Sequence, residues 1–171
     1  MNKRKIDVRD CVGDIISALR PGILLTTKVA DKVNSMTIGW GTIGIIWERP
    51  VFVAYLRQQR YSRQMLDESH EFTVNIPDGK YDRRILGVCG SKSGRDTDKV
   101  ETAGLTLVDP EVISTPGIKE LPLTLECRVL YRQEQESGAL NSEITRQFYT
   151  LETGDHICYY GEIVAAYIIE D

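Results

Sequence analysis

The sequence predicts a mainly β protein, an antiparallel barrel or sandwich with short peripheral α-helices. Three observations predict it. Extended runs, β-branched or alternating, recur along the chain. The helical patterns between them are short. No strand, long helix, strand rhythm of a parallel α/β protein is present. The 171 residues suit one domain, 1–171, with enough chain to bury a core.

Residues 22–29 (GILLTTKV) are apolar and β-branched and predict a first strand, with the polar ADKVN as its turn. SMTIGW resumes the extended pattern, and 49–56 (RPVFVAYL) is a nearly continuous apolar run. Pro50 suits the start or edge of that strand, where a missing N–H costs least. Residues 62–70 (SRQMLDESH) read as a helix with Ser62 as N-cap. Residues 71–76 (EFTVNI) alternate, with Phe72, Val74 and Ile76 on one face and Thr73 and Asn75 on the other. A second helix is expected over 81–90, capped by Asp82 and stopped by Gly90. A third is expected over 98–104, with Asp98 as N-cap, Glu101 three residues on and Gly104 at the end. The segment 108–122 carries three prolines and reads as an irregular excursion. Residues 122–132 alternate again, with Leu130 as the exception. Residues 156–169 form one long or bent strand in which Gly161 is the candidate bulge.

Composition narrows the function. Net charge is −4 with a pI near 5.3, which argues against a general nucleic-acid binder. The N-terminal MNKRKIDVRDCVGDII has no long apolar run, so neither a signal peptide nor a membrane span is expected. Cys11, Cys89, Cys127 and Cys158 are far apart with no CxxC, which favours reduced thiols in the cytoplasm. His156 and Cys158, with His70 and Cys89 elsewhere, do not make a recognisable metal spacing, and no metal is expected. No G-x-S-x-G or G-x-G-x-x-G element is present, and the loop 87–99 (GVCGSKSGRDTDK) does not fit a P-loop register.

Two features point to a ligand. LRQQRYSRQM (56–65) gathers Arg57, Arg60 and Arg63 where a strand gives way to a helix, which is the chemistry of a phosphate site. Lys99, on the first turn of its helix, is available as a second anion contact. The stretch NSMTIGWGTIGIIWERP (34–50) concentrates both tryptophans and three of the fourteen glycines of the chain. With little acid–base machinery in view, this profile suits a bound cofactor that carries the chemistry itself. His156 is the one side chain there able to exchange protons near neutral pH.

In order along the chain, NSMTIGW, RPVFVAYL, RYSRQML, EFTVNIP, DTDK and GDHICYYGEI resemble the flavin reductase-like family, from about residue 20 to 169. The resemblance implies an antiparallel Greek-key split barrel that binds FMN, with FAD as the other candidate. It implies that Asn34, Ser35, Met36 and Thr37 border the flavin ring, main-chain groups of 35–37 meeting its polar edge. Trp40 would lie close by, and the glycines would let the backbone approach a flat ring. Arg57, Tyr61, Ser62 and Arg63 would take the ribityl chain and phosphate. Lys99 and His156 would approach the flavin or an incoming nicotinamide, and His156 is the candidate catalytic residue. Val100 stands where the family usually has an aromatic, which loosens that side of the pocket. The implied activity is an oxidoreductase passing electrons from NADH or NADPH to flavin or a downstream acceptor. The alternative is an FMN electron carrier reduced by a partner protein. A homodimer is implied, and Trp47 is expected in core or dimer-interface packing.

Overall fold

The computed structural model describes residues 1–150 and 153–170. Its centre is one antiparallel sheet. In chain order the elements are β1 (Asn2–Lys5), α1 (Val12–Leu19), β2 (Ile23–Val29), β3 (Lys32–Ile38), β4 (Gly41–Ile46), β5 (Arg49–Arg57), α2 (Tyr61–Ser69), β6 (Glu71–Ile76), α3 (Arg84–Ser91), α4 (Lys99–Ala103), β7 (Leu107–Val108), β8 (Gly117–Ile118), β9 (Leu123–Glu134), α5 (Ser142–Phe148) and β10 (His156–Glu170). The strands run in the order β3-β2-β6-β9-β10-β5-β4, with β1 added on β10. The end strands β3 and β4 follow one another in the chain through Gly39 and Trp40 but are not paired. The sheet therefore rolls around its core and stays split at that seam.

The core follows from the alternation. Leu25, Phe52, Ala54, Leu56, Phe72, Val74, Leu125, Cys127 and Tyr159 point inward from five strands, and Ile15 and Leu19 of α1 join the same cluster. That helix was not expected from sequence, yet Ile15 and Leu19 stand one turn apart on its buried face. On the other side of β2 and β6 lies a second layer of α3, α4 and the short hairpin β7–β8. There Leu24 packs with Ile85, Cys89, Leu105, Ile118 and Leu121. Both faces of EFTVNI are consequently buried. Its polar side is satisfied across strands: Thr26 and Asn75 are 3.2 Å apart, the Asn75 amide donates to Thr124 at 3.2 Å, and Thr26 meets Ser35 at 2.8 Å.

The three-proline excursion is held by a buried carboxylate. Glu126, fully enclosed on β9, accepts the main-chain N–H groups of Glu111, Val112 and Ile113 at 2.6, 2.8 and 3.1 Å and the Tyr167 hydroxyl at 2.9 Å. A strand side chain thus fixes residues 111–113, while Gly117 and Ile118 of the same excursion, expected to be irregular throughout, pair with Val108 and Leu107 as the hairpin β7–β8.

Several local expectations need correction. The first turn is short, since β3 already resumes at Lys32. The helix expected at Ser62 starts one residue earlier. Arg60 occupies the N-cap, and the Ser62 hydroxyl accepts the Asn34 amide at 2.7 Å instead of a helix N–H. Gly90 does not stop α3, which runs to Ser91. Asp98 and Gly104 do cap α4: the carboxylate accepts the Glu101 N–H at 3.0 Å, and Gly104 has φ +64°. Gly161 is not an extra residue. The register skips Leu130 on β9 opposite Tyr160 and Gly161, which explains why Leu130 broke the alternation, and skips Val164 on β10. Gly161 instead receives the Phe72 ring, whose Cε1 lies 2.6 Å from where a Cβ would stand. Gly41 likewise accommodates Phe52, at 2.5 Å, so its small size serves the core rather than a ligand. Trp47 is not core. It lies 51% exposed in the two-residue turn between β4 and β5, where it and Glu48 have φ of 52° and 57°.

Replacing Glu126 by Ala removes an acceptor shared by four donors. Urea unfolding should show a loss of about 3 kcal/mol, and amide exchange at Glu111–Ile113 should accelerate to near the rate of an exposed loop.

Candidate functional site

The seam beside β3 opens into a cleft, and the pairing of β3 decides what faces it. The β2–β3 hairpin closes on Val29 opposite Lys32. Antiparallel alternation then directs the N–H and C=O groups of Val33, Ser35 and Thr37 away from β2, while those of Asn34 and Met36 are taken by the ladder. Side chains divide the other way. Asn34 and Met36 line the cleft. Ser35 turns to Thr26, and Thr37 donates to the Leu86 carbonyl at 2.7 Å under α3. The stretch expected to present three successive main-chain units therefore presents two, at Ser35 and Thr37, with the Met36 side chain between them.

One end of the cleft, about 280 Å³, is cationic. Arg57, Arg60, Lys92, Arg95 and Lys99 line it with Tyr61, Ser62 and the small residues Ser91, Ser93 and Gly94, and no carboxylate does. In a chain of net charge −4 this is a concentrated positive field. The α2 N-terminus opens here without a side-chain cap; the Arg63 N–H is taken by the Arg60 carbonyl at 3.1 Å, which leaves those of Tyr61 and Ser62 for an anion. Gly94 is packed so closely that a Cβ would stand 2.0 Å from Asn34 Oδ1.

The arginines divide into two roles. Arg57 is a clasp: its guanidinium donates to the carbonyls of Phe148 (2.9 Å), Thr153 (3.1 Å) and Gly154 (2.6 Å). Arg63 points away from the cleft, to the Gln58 carbonyl at 3.0 Å and to Asp67 at 2.8 Å. Arg60 and Arg95 are each fixed by one carbonyl, Gly90 at 3.0 Å and Gln59 at 3.2 Å, and retain donors for a ligand. Sequence reasoning ranked Arg57 and Arg63 above them because spacing alone cannot show which guanidinium meets a carbonyl. Lys92 and Arg95 had a visible signal in the Ser/Gly/Lys-rich loop that failed the P-loop register.

Lys99 is buried at the cleft wall. Its ammonium donates to the carbonyls of Ser35 and Cys89, both at 3.0 Å, and forms no ion pair among the described residues. Burial pulls its pKa below the ordinary lysine value, and Arg60 adds to the effect. An anion in the cleft would offset both.

The other end, about 180 Å³, is lined by Met36, Thr37, Gly39, Trp40, Tyr55, Arg57 and His156, among others. The Trp40 ring lies 5.0 Å from His156 and meets Phe148 edge-on at 5.2 Å. His156 is buried, with Nδ1 3.0 Å from the Tyr149 hydroxyl, which leaves Nε2 as its remaining polar atom. Burial first, and the Arg57 charge second, lower its pKa from 6.5 to about 4. It is neutral at physiological pH, contrary to the expectation of proton exchange near neutrality. Tyr149 and Phe148, which contact His156 and Trp40, had no sequence signal because α5 has no fully buried residue to set an apolar period. Among the described residues no group of three or more His, Cys, Asp or Glu converges as for a metal.

Comparison with known proteins places this geometry. Residues 19–171 match the flavin reductase like domain. An uncharacterised protein of Archaeoglobus fulgidus is 28% identical over 140 residues, covering 82% of this chain and 68% of that one. The structure resembles flavoredoxin from Methanosarcina acetivorans with a TM-score of 0.68 and 27% identity, covering 88% of this chain and 69% of that one. It resembles nitrilotriacetate monooxygenase component B from Bacillus cereus in fold, with a TM-score of 0.69, 20% identity, and 88% and 70% coverage.

The His156 environment has a pH consequence. Its folded pKa of about 4 lies below the unfolded 6.5, so its contribution is whole above 6.5 and is lost as pH falls toward 4. His156→Gln should flatten the stability profile across that window, and the native ring resonances should titrate near 4 rather than 6.5.

Proposed function

The chain belongs to the flavin reductase-like family, and on that premise we propose that it is an FMN-binding oxidoreductase passing electrons from NADH or NADPH to flavin or a downstream acceptor. The observation that carries the reading is the polarity of the cleft. It runs from five cations and an uncapped helix N-terminus, along the free edge of β3, to Trp40 and His156. A phosphorylated tricyclic ring has the same sequence of chemistry. The residues fit such a group, since buried Lys99 lacks a counter-ion among the described residues and Gly94 leaves the cleft wall at backbone level.

When bound, a flavin supplies the redox chemistry. The chain's own residues bind and orient. In this reading Arg60, Arg95, Lys92 and the first turn of α2 at Tyr61 and Ser62 hold the phosphate, with Arg57 as the clasp of the adjacent loop rather than a direct ligand, and Arg63 outside. Asn34 and Met36 border the ribityl path. The outward N–H groups of Ser35 and Thr37 face the polar ring edge, where donors fixed in advance stabilise developing negative charge. Lys99 adds a positive charge behind Ser35. Neutral His156, oriented by Tyr149, positions the incoming nicotinamide and transfers no proton through Nδ1.

The electron-carrier alternative draws support from the likeness to a flavoredoxin; in it a partner protein replaces the nicotinamide. The reading treats 1–171 as one cytoplasmic domain, in keeping with four free thiols. It includes a homodimer formed on the sheet face where exposed Trp47 meets Tyr131 and Tyr160, with ring centroids 6.3 and 6.1 Å away.

Anaerobic NADH or NADPH should bleach the flavin absorbance of the purified protein, and no bleaching by either would favour the carrier. Arg60→Ala and Arg95→Ala should each weaken FMN by about 10- to 100-fold, the worth of ~1.5–3 kcal/mol in charge-assisted hydrogen bonds. Riboflavin, without the phosphate, should be unaffected in equilibrium dialysis. Trp47→Glu should convert a dimer to a monomer in sedimentation velocity, and an unchanged dimer would move the interface elsewhere.

A further inference from the structure

The two tryptophans of the chain stand at opposite ends of one band of side chains. Phe52, Ala54 and Leu56 of β5 and Ile157 and Tyr159 of β10 point into the core. Alternation therefore puts Tyr55 of β5 and Cys158 and Tyr160 of β10 together on the outer face. Tyr55 stands opposite Cys158 in the ladder, and Tyr160 stands opposite Tyr131 of β9. The band begins in the cleft, where Trp40 and Tyr55 line the His156 end. It continues through Tyr160 to Tyr131, whose ring centres are 5.2 Å apart, and ends at Trp47, 6.1 Å from Tyr160 and 6.3 Å from Tyr131. These are contact separations for aromatic rings. We propose that the band carries oxidising equivalents out of the flavin site, as an electron hole that passes from Trp40 or Tyr55 through Tyr160 and Tyr131 to Trp47. The proposal rests on the flavin reading above and adds a one-electron activity to it.

Under blue light one electron leaves Trp40 or Tyr55 for the excited flavin, which is reduced by it. Each oxidised ring is then refilled by its outer neighbour, and the proton lost at the end of the band goes to water beside Trp47. A thiol or ascorbate in solution returns one electron and one proton to Trp47 and is itself oxidised.

Electrostatics sets the direction. A positive hole is least stable next to other cations and away from water. The cleft end of the band lies beside Arg57 and Arg60, in the surroundings that already keep His156 neutral. The far end is half in solvent. Glu48 follows Trp47 in the chain, and the Arg49 charge is met by Glu162 at 2.6 Å. Between the two ends, burial raises the Tyr160 pKa above its usual value, and Cys158, Tyr55 and Tyr131 beside it add to the effect. Positive charge therefore drains from the cleft toward the outer end, which lies on the face assigned above to the dimer.

Full-length protein is loaded with FMN and excited with a blue laser pulse in the absence of air, and the tryptophan radical is followed by transient absorption. The native radical should outlive that of Trp47→Phe by about tenfold, because a hole held at Trp40 recombines with the adjacent flavin. Tyr160→Phe keeps the shape and packing of the ring but is not readily oxidised, and it should shorten the lifetime by a similar factor. Both variants should bind FMN as tightly as the native chain, so the result does not reflect a lost fold or a lost cofactor. Under continuous light in air, peptide mass spectrometry should find oxygen added to Trp47 in the native chain and to Trp40 in Tyr160→Phe. A native lifetime that neither variant alters overturns the proposal, as does a radical confined to Trp40 in the native chain. Failure of the native chain to bind flavin overturns the underlying flavin reading and this proposal with it. Bound flavin with an inert band leaves the former standing and rejects only the latter.

Discussion

A sheet that curls around a core without closing has two edge strands, and each leaves a row of main-chain donors and acceptors without a partner. Here the edges are β3 and β4, consecutive in the chain and separated by Gly39 and Trp40. The rest of the molecule is arranged around that seam. Lys99 satisfies the Ser35 carbonyl from the side, while α2 and the 91–95 loop close one end and the Phe148–Tyr149 segment frames the other. The edge remains accessible between them, and a planar polar ligand can complete what a strand would have paired.

Charge is sorted with equal economy. The protein is acidic overall, but the cleft end collects five cations and no carboxylate. Part of that charge is spent on structure. Arg57 binds three carbonyls of the loop before β10, and Arg63 pairs with Asp67, which also meets Arg132 at 3.1 Å and the Tyr159 hydroxyl at 2.6 Å. The donors left over belong to Arg60, Lys92 and Arg95. At the far end the same Arg57 charge helps hold His156 neutral, so a single guanidinium links the loop anchor to the protonation state of the cleft.

Much of this architecture was legible in the residues. Alternation in EFTVNI and in 122–132 predicted strands whose inward faces form the core, and the irregular Leu130 marked a real register shift. Asp98 and Gly104 marked both ends of α4. Less legible were elements with weak periodicity: α1, too short to show a long apolar stripe, and α5, which has no fully buried residue. The second layer over β2 and β6 was hidden as well. Thr73 and Asn75 look like a solvated face in sequence, and only the hydrogen bonds to Thr26, Thr124 and Pro116 make their burial affordable.

By itself the sequence determined the mainly β fold, the family, and the segments that border the cleft, because hydrophobic period and local caps act over a few neighbouring residues. Tertiary structure decided which arginine is a clasp and which is free. It decided that Gly41 and Gly161 make room for phenylalanine rings, and that His156 is neutral. Those outcomes depend on groups distant in the chain: a carbonyl at 154 for Arg57, a ring at 72 for Gly161, a guanidinium at 57 for His156. Hydrogen bonding, close packing and desolvation act through space, and no local pattern encodes the partner that folding brings alongside.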